Sequence, residues 1–220
     1  MGKLYVVSTP IGNLGDITLR ALETLKNVDI IACEDTRHTL GLLNHFEIKK
    51  PLVSYHQHSK DSKVEQIISS ILEGNNVAIV TDAGTPGISD PGEFLIRRAI
   101  ENKIEIEPIP GVSAAITGLS ISGLSTDEFV FIGFLPHKKG RQTKLKEIAT
   151  EKRTIILYES PFRIIKLLNE LLEFTGDREV SVSRELTKKF EETYRGKISA
   201  ILPTIKEKGE FVVILEAKID

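Results

Sequence analysis

The sequence has no tryptophan, a single cysteine and a single methionine, and aromatic residues fill only 6% of its 220 positions. One cysteine cannot form an internal disulfide, and Cys33, inside the apolar run 28–33, reads as a buried, inert thiol. No apolar run approaches the roughly 20 residues that span a bilayer. The opening Met1-Gly2-Lys3 runs straight into the strand-like Leu4-Tyr5-Val6-Val7, too short a lead for a signal peptide. A cytoplasmic protein without a membrane partner is therefore expected. Net charge is also scarce, at −2, which argues against a general binder of polyanions. The charge is uneven, however. Residues 117–220 hold 18 Lys and Arg against 16 Asp and Glu, whereas residues 1–116 hold 11 against 15.

The remaining composition, 40% apolar and 27% charged, is that of a globular chain long enough for one large domain or two small ones. Strand-like runs at 4–8, 29–33, 52–55, 77–81 and 104–106 alternate with helical stretches. Val64, Ile67, Ile68, Ile71 and Leu72 have the spacing of an amphipathic helix. That alternation predicts a mostly parallel sheet covered by helices. After Pro108–Gly111 the texture changes to small residues, from Val112 to Leu124. A second set of strands is expected at 129–133, 154–158, 180–184, 197–202 and 211–216, with a helix between Phe162 and Phe174. The reading is α/β, with two α/β domains at 1–112 and 118–220.

Four polar or glycine-rich segments follow predicted strands, where ligands sit in open α/β sheets. The first, 8–18, holds Pro10, Gly12 and Gly15. It is neither a dinucleotide fingerprint nor a phosphate loop, and Asp16 or Thr18 suits a helix cap. The second, Glu34-Asp35-Thr36-Arg37-His38-Thr39, places acids and bases at the end of a buried strand. It reads as a cleft, or as a solvated turn with an internal Asp–Arg pair. The third, Thr81-Asp82-Ala83-Gly84-Thr85-Pro86-Gly87-Ile88-Ser89-Asp90-Pro91-Gly92, holds three glycines and two prolines in twelve residues. Such a loop takes an unusual path and offers backbone groups and carboxylates to a ligand. The fourth, Pro108–Ala115, leads through Ser113 and Ala114 into the small-residue helix.

Together these segments resemble the tetrapyrrole methylase superfamily, the class III methyltransferases, and within it the branch that acts on small-subunit ribosomal RNA. VSTPIGNLGDIT, EDTRHT, SYHQHS, TDAGTPGISDPG, PGVSAAITGLSISGL, FIGFLPHKKGRQ, YESPFR and SRELTKKFEE carry the match in order over nearly the whole chain. TDAGTPGISDPG and EDTRHT set the chain apart from the true tetrapyrrole methylases, whose corresponding loop usually reads G-D-P. The resemblance implies S-adenosyl-L-methionine bound in a cleft between two α/β domains, a homodimer, and 2′-O-methylation of a cytidine ribose in the decoding region. It implies cofactor contacts from Pro10, Gly12, Thr81, Asp82, Gly84, Thr85, Pro86, Ile88, Asp90, Ser113 and Ala114, with Tyr158 and Glu159 from the second domain. Some members continue into a further C-terminal segment. This sequence ends at Asp220 after its last strand, so RNA contacts made there are not expected.

A ribose hydroxyl is a poor acid, so a base or cation should stand near the methyl acceptor. Glu34, Asp35, Arg37, His38, His58 and Glu159 are candidates among which the sequence does not choose, with the Glu34–Arg37 segment preferred for the acceptor side. Lys138, Lys139 and Arg141 form a basic patch, and Arg184, Lys188 and Lys189 a weaker one; each is an RNA-phosphate contact or merely a solvated face. Tyr55 and Phe134 are candidates for base stacking. His56 and His58 have metal-ligand spacing, but no cysteine or nearby acid completes a set, so no metal is expected. Two other readings stay open. A tetrapyrrole methylase of the same fold would want more aromatics, and a non-catalytic RNA-binding module would want more cations and no loop like 81–92.

Overall fold

The apolar runs of the first half pair as one parallel sheet in a computed structural model that describes residues 1–55 and 61–218. The chain divides into two compact units, Met1–Ser113 and Ala114–Asp220. In chain order the first unit comprises β1 (Lys3–Val7), α1 (Leu19–Asn27), β2 (Ile30–Cys33), α2 (Thr36–His45), β3 (Leu52–Ser54), α3 (Asp61–Leu72), β4 (Val77–Ile79), α4 (Glu93–Glu101) and β5 (Glu105–Ile109). Its sheet runs β3-β2-β4-β1-β5, every pair parallel. Parallel neighbours need long crossovers, which is why helices separate the strands.

Both faces of this sheet are covered, so its inner strands β2 and β4 are apolar without alternation. Leu4, Ala32, Val77 and Ile79 face the side on which Val64, Ile67, Ile68, Ile71 and Leu95 pack. Val7, Ile31, Cys33 and Ala78 face the opposite side, against Ala21, Leu25 and Leu43. The helix caps are local. Thr18, not Asp16, accepts from the Ala21 N–H to start α1. Pro108 lies inside β5 opposite Val6 and is tolerated because β5 is an edge strand.

The second unit comprises α5 (Ala114–Ser120), β6 (Phe129–Phe134), α6 (Arg141–Thr150), β7 (Thr154–Glu159), α7 (Ile164–Thr175), β8 (Glu179–Arg184), β9 (Glu192–Lys197), α8 (Ile198–Ile201) and β10 (Phe211–Leu215). Here the sheet order is β6-β7-β10-β8-β9, and only β6–β7 is parallel. Central β10 is buried along its whole length. One strand expectation needs correction. The run 197–202 is not a strand: Ile198 and Ile201 are buried at helical spacing in α8, whose Ser199 N–H and hydroxyl both donate to Asp177. The strand beside it is β9, Glu-Thr-Tyr-Arg-Gly-Lys, which lacks an apolar pattern because it is a charged sheet edge.

The small residues after Val112 serve packing. A Cβ on Gly118 would lie 2.8 Å from the Val212 Cγ1 atom, so α5 sits on β10 with no room for a methyl group. Gly118→Ala should lower stability by about 1–3 kcal/mol in urea denaturation. Val212→Ala in the same chain should recover part of the loss. Simple addition of the two losses would refute the close approach as its cause.

Candidate functional site

Four loops leave the carboxyl ends of β1, β2, β4 and β5. Those after β1 and β4 are bound together. The Thr9 N–H donates to the Gly84 carbonyl at 2.9 Å, and the Gly84 N–H returns a bond to Thr9 at 3.0 Å. The Thr9 hydroxyl donates to the Thr81 carbonyl at 3.0 Å. The Ser8 and Thr85 hydroxyls lie 3.0 Å apart. At the end of β5, a Cβ on Gly111 would come within 2.8 Å of the Ser8 Cβ, so glycine brings this loop against the first. The 81–92 loop turns through left-handed backbone at Gly84 (φ 83°), Gly87 (φ 84°) and Ser89 (φ 63°).

This arrangement places most of the residues expected to touch a cofactor. Pro10, Thr81, Gly84 and Pro86 are buried, Asp82, Thr85 and Asp90 are half-buried, and Gly12 and Ile88 are exposed. Ser113 closes the first unit and Ala114 opens the second. Thr9 and Gly111 were not singled out from sequence. Their role depends on a neighbour 75 positions away for Thr9–Gly84 and 103 for Ser8–Gly111.

The loop after β2 joins the same edge. The Asp35 N–H donates to the Asp82 carboxylate at 3.2 Å, and the Thr81 hydroxyl lies 3.4 Å from Glu34 Oε2. Asp35 also caps α2, accepting from the Arg37 N–H at 2.8 Å. Its carboxylate takes the Arg37 fork, with Nε at 3.2 Å and Nη2 at 2.8 Å. The Arg37 guanidinium, helped by that backbone bond, holds the Asp35 carboxyl far below the usual carboxylate range. Asp35 is therefore a poor proton acceptor near neutral pH. The Arg37 side chain is 90% exposed, so water screens its pairing with Asp35.

Several expectations for the second unit are corrected by burial. Arg141 is not offered to phosphates. It is enclosed, with Nε and Nη2 on Glu170 at 2.9 and 2.6 Å and Nη1 on the Pro136 carbonyl at 3.1 Å. Arg184 is buried too, its guanidinium on the Phe190 and Lys208 carbonyls and on Glu192. Lys188 is held by Glu185 at 2.9 Å and Glu210 at 2.7 Å. Glu159 cannot present its carboxylate to a ligand: the side chain is fully enclosed, bound by Arg163 at 2.6 Å and the Ser160 N–H at 2.8 Å. Lys138, Lys139 and Lys189 are exposed, the last over the Phe190 ring. The Tyr158 hydroxyl accepts from the Ala115 N–H at 3.0 Å and so fixes the start of α5. Tyr55 lies in the core, unavailable for stacking. His56 and His58 lie outside the described residues. No sequence signal paired Arg141 with Glu170, although Glu159 and Arg163 have the i, i+4 spacing of an ion pair.

A sheet edge of this form, followed by a second α/β unit with a largely antiparallel sheet, defines a class. The profile of the tetrapyrrole (corrin/porphyrin) methylases matches residues 3–202, and the chain belongs to that family. It is 50% identical over 220 residues to the ribosomal RNA small subunit methyltransferase I of Synechocystis sp., across 98% of this chain and 79% of the relative. It is 46% identical over 221 residues to the protein of the same name from Thermotoga maritima, across 99% of this chain and 100% of the relative. Among solved structures, a diphthine synthase superimposes with a TM-score of 0.78 at 14% identity, covering 99% of this chain and 90% of the other. A uroporphyrin-III C-methyltransferase from Thermus thermophilus, complexed with S-adenosylhomocysteine, gives 0.70 at 18% identity, covering 98% and 97%. At these identities the structural likeness establishes the fold. Among the described residues, no helix is long and apolar enough to cross a membrane.

The members of the first basic patch now separate by stability. Arg141→Ala leaves Glu170 facing a buried site without its cation and should cost about 3–5 kcal/mol in urea denaturation. Lys138→Ala with Lys139→Ala should stay within about 0.5 kcal/mol of the parent. Equal losses would contradict the division between buried anchor and exposed pair.

Proposed function

We propose that this chain transfers a methyl group from S-adenosyl-L-methionine to small-subunit ribosomal RNA, at the 2′-hydroxyl of a cytidine ribose. We place the reaction in the cytoplasm and in a homodimer. The observation that carries this reading is identity of 46–50%, over nearly the whole chain, with relatives named ribosomal RNA small subunit methyltransferase I. The two-domain division at 1–112 and 118–220 belongs to the same proposal.

The carboxyl edge of the first sheet fits such a cofactor. When bound, S-adenosylmethionine supplies an activated methyl group on a cationic sulfonium. The edge offers backbone carbonyls and carboxylates rather than the cations a phosphate would need. Its glycines leave the backbone bare, with Gly84 buried at left-handed φ and Gly111 against Ser8. Thr81, Asp82, Gly84, Thr85, Pro86, Ile88 and Asp90 hold the cofactor from the loop after β4. Pro10 and Gly12 act from the loop after β1, and Ser113 from the end of the first unit. Asp82 links this loop to the acceptor segment through the Asp35 N–H. Glu34 takes the proton that leaves the ribose hydroxyl. Arg37 exchanges its exposed pairing with Asp35 for an RNA phosphate, which its planar fork binds bidentately. Lys138, Lys139 and Lys189 contact further phosphates.

Methyl transfer from labelled cofactor to small subunits lacking the modification tests the reading, with nucleoside analysis of the product. A 2′-O-methylcytidine is expected, and a base-methylated product would overturn the assignment. Gly84→Val should abolish cofactor binding in calorimetry while unfolding stays cooperative, because the buried left-handed turn admits no branched side chain. Arg37→Ala should slow transfer at least tenfold, about 1.4 kcal/mol of transition-state stabilisation, with cofactor affinity unchanged. Weakened cofactor binding with normal single-turnover chemistry would instead place Arg37 in the cofactor site.

A further inference from the structure

Among the exposed phenylalanines of the second unit, Phe134 and Phe162 share one end of its sheet. Phe134 is 51% exposed and Phe162 is 93% exposed. Both lie at the carboxyl end of the parallel β6–β7 pair. Phe134 is the last residue of β6, in register with Tyr158, and Phe162 stands in the turn after Glu159 ends β7. The loop that leaves β6 carries Lys138 and Lys139, both exposed, and neither has a carboxylate partner among the described residues.

Beneath these groups the backbone is anchored. Arg163 donates to the Leu135 carbonyl at 3.5 Å and the Ser160 hydroxyl at 3.3 Å, which ties the turn to the loop. Arg141 donates to the Pro136 carbonyl from the other side. Glu159 and Glu170 neutralise the two arginines, each at 2.6 Å. Arg141 is thus a positioning residue, and the cations left for an external partner are the two lysines. Two exposed rings, Phe134 set edge-on against Tyr158 with centroids 5.6 Å apart, and two cations without a carboxylate partner on one fixed base match a single-stranded nucleic acid, whose unstacked bases expose faces to aromatics while its phosphates seek cations. A duplex keeps its base faces stacked.

We propose that this end of the second sheet is a platform for a single-stranded RNA segment. Bases stack on Phe134 and Phe162, and Lys138 and Lys139 take the flanking phosphates. The proposal rests on the reading of RNA as substrate.

The test uses the full chain, a labelled short single-stranded RNA, and a duplex of the same length. Phe134→Leu and Phe162→Leu keep apolar bulk and remove the ring; each should weaken single-strand binding about fivefold or more, with duplex binding and cofactor affinity unmoved. Phe162→Trp should bind like the parent. Lys138→Ala with Lys139→Ala should lower the slope of log affinity against log salt by roughly 1.4. Parent-like affinity in both leucine variants, while the parent methylates subunits normally, would overturn the platform and leave the activity standing. A changed sedimentation state with unchanged RNA affinity would overturn it too, because the rings would then cover a second copy of the chain. A parent that neither binds this RNA nor methylates subunits would remove the functional reading and the platform with it.

Discussion

The reciprocal pair of hydrogen bonds between Thr9 and Gly84 is the constraint on which the site depends. β1 and β4 are parallel neighbours, so the chain leaves both at the same edge and nothing local joins the two exits. The bridge closes that edge by pairing the exits antiparallel, which turns the second loop back on itself. A buried left-handed residue is then required, and glycine supplies it. The Thr9 hydroxyl satisfies the Thr81 carbonyl. With the loop so held, Asp82 reaches the backbone of Asp35 and Thr85 reaches Ser8. Loops from three strands thereby become one surface.

The second unit uses charge differently. Its excess of cations suggests a face for a polyanion, yet many of its arginines point inward or along the chain. Arg178 donates to the Ala149 carbonyl at 2.7 Å, and Arg195 donates to Ile121 through two nitrogens. Arg141, Arg163 and Arg184 do the same for Pro136, Leu135 and Phe190. A guanidinium has five donors in a rigid fork and can satisfy carbonyls that irregular segments leave without partners. These five arginines therefore close loops, and Lys138 and Lys139 stay exposed on the loop after β6.

The contacts of residues 34–37 narrow what each group there can do. Glu34, Asp35 and Arg37 form a plausible acid–base trio on paper. Once Asp35 caps α2 and grips Arg37, it is stabilised as an anion and loses its value as a base. Glu34 lies beside the Thr81 hydroxyl at the same edge.

What the sequence determined by itself is whatever depends on near neighbours. The apolar runs that become β1, β2, β4 and β10, the amphipathic face of α3, the Thr18 cap and the glycine density of 81–92 are all readable within a turn or two of chain. The ordered motifs were enough to indicate the family. Tertiary structure alone decided the sheet orders, the charged edge strand β9, the bridge at Thr9 and the partners of Arg141. Charged strands and buried ion pairs carry no local periodicity. Arg141 meets a carboxylate 29 positions away and Arg195 a carbonyl 74 away. An exposed lysine and a buried arginine look alike in sequence, because burial is a property of what folds over a side chain and not of the side chain.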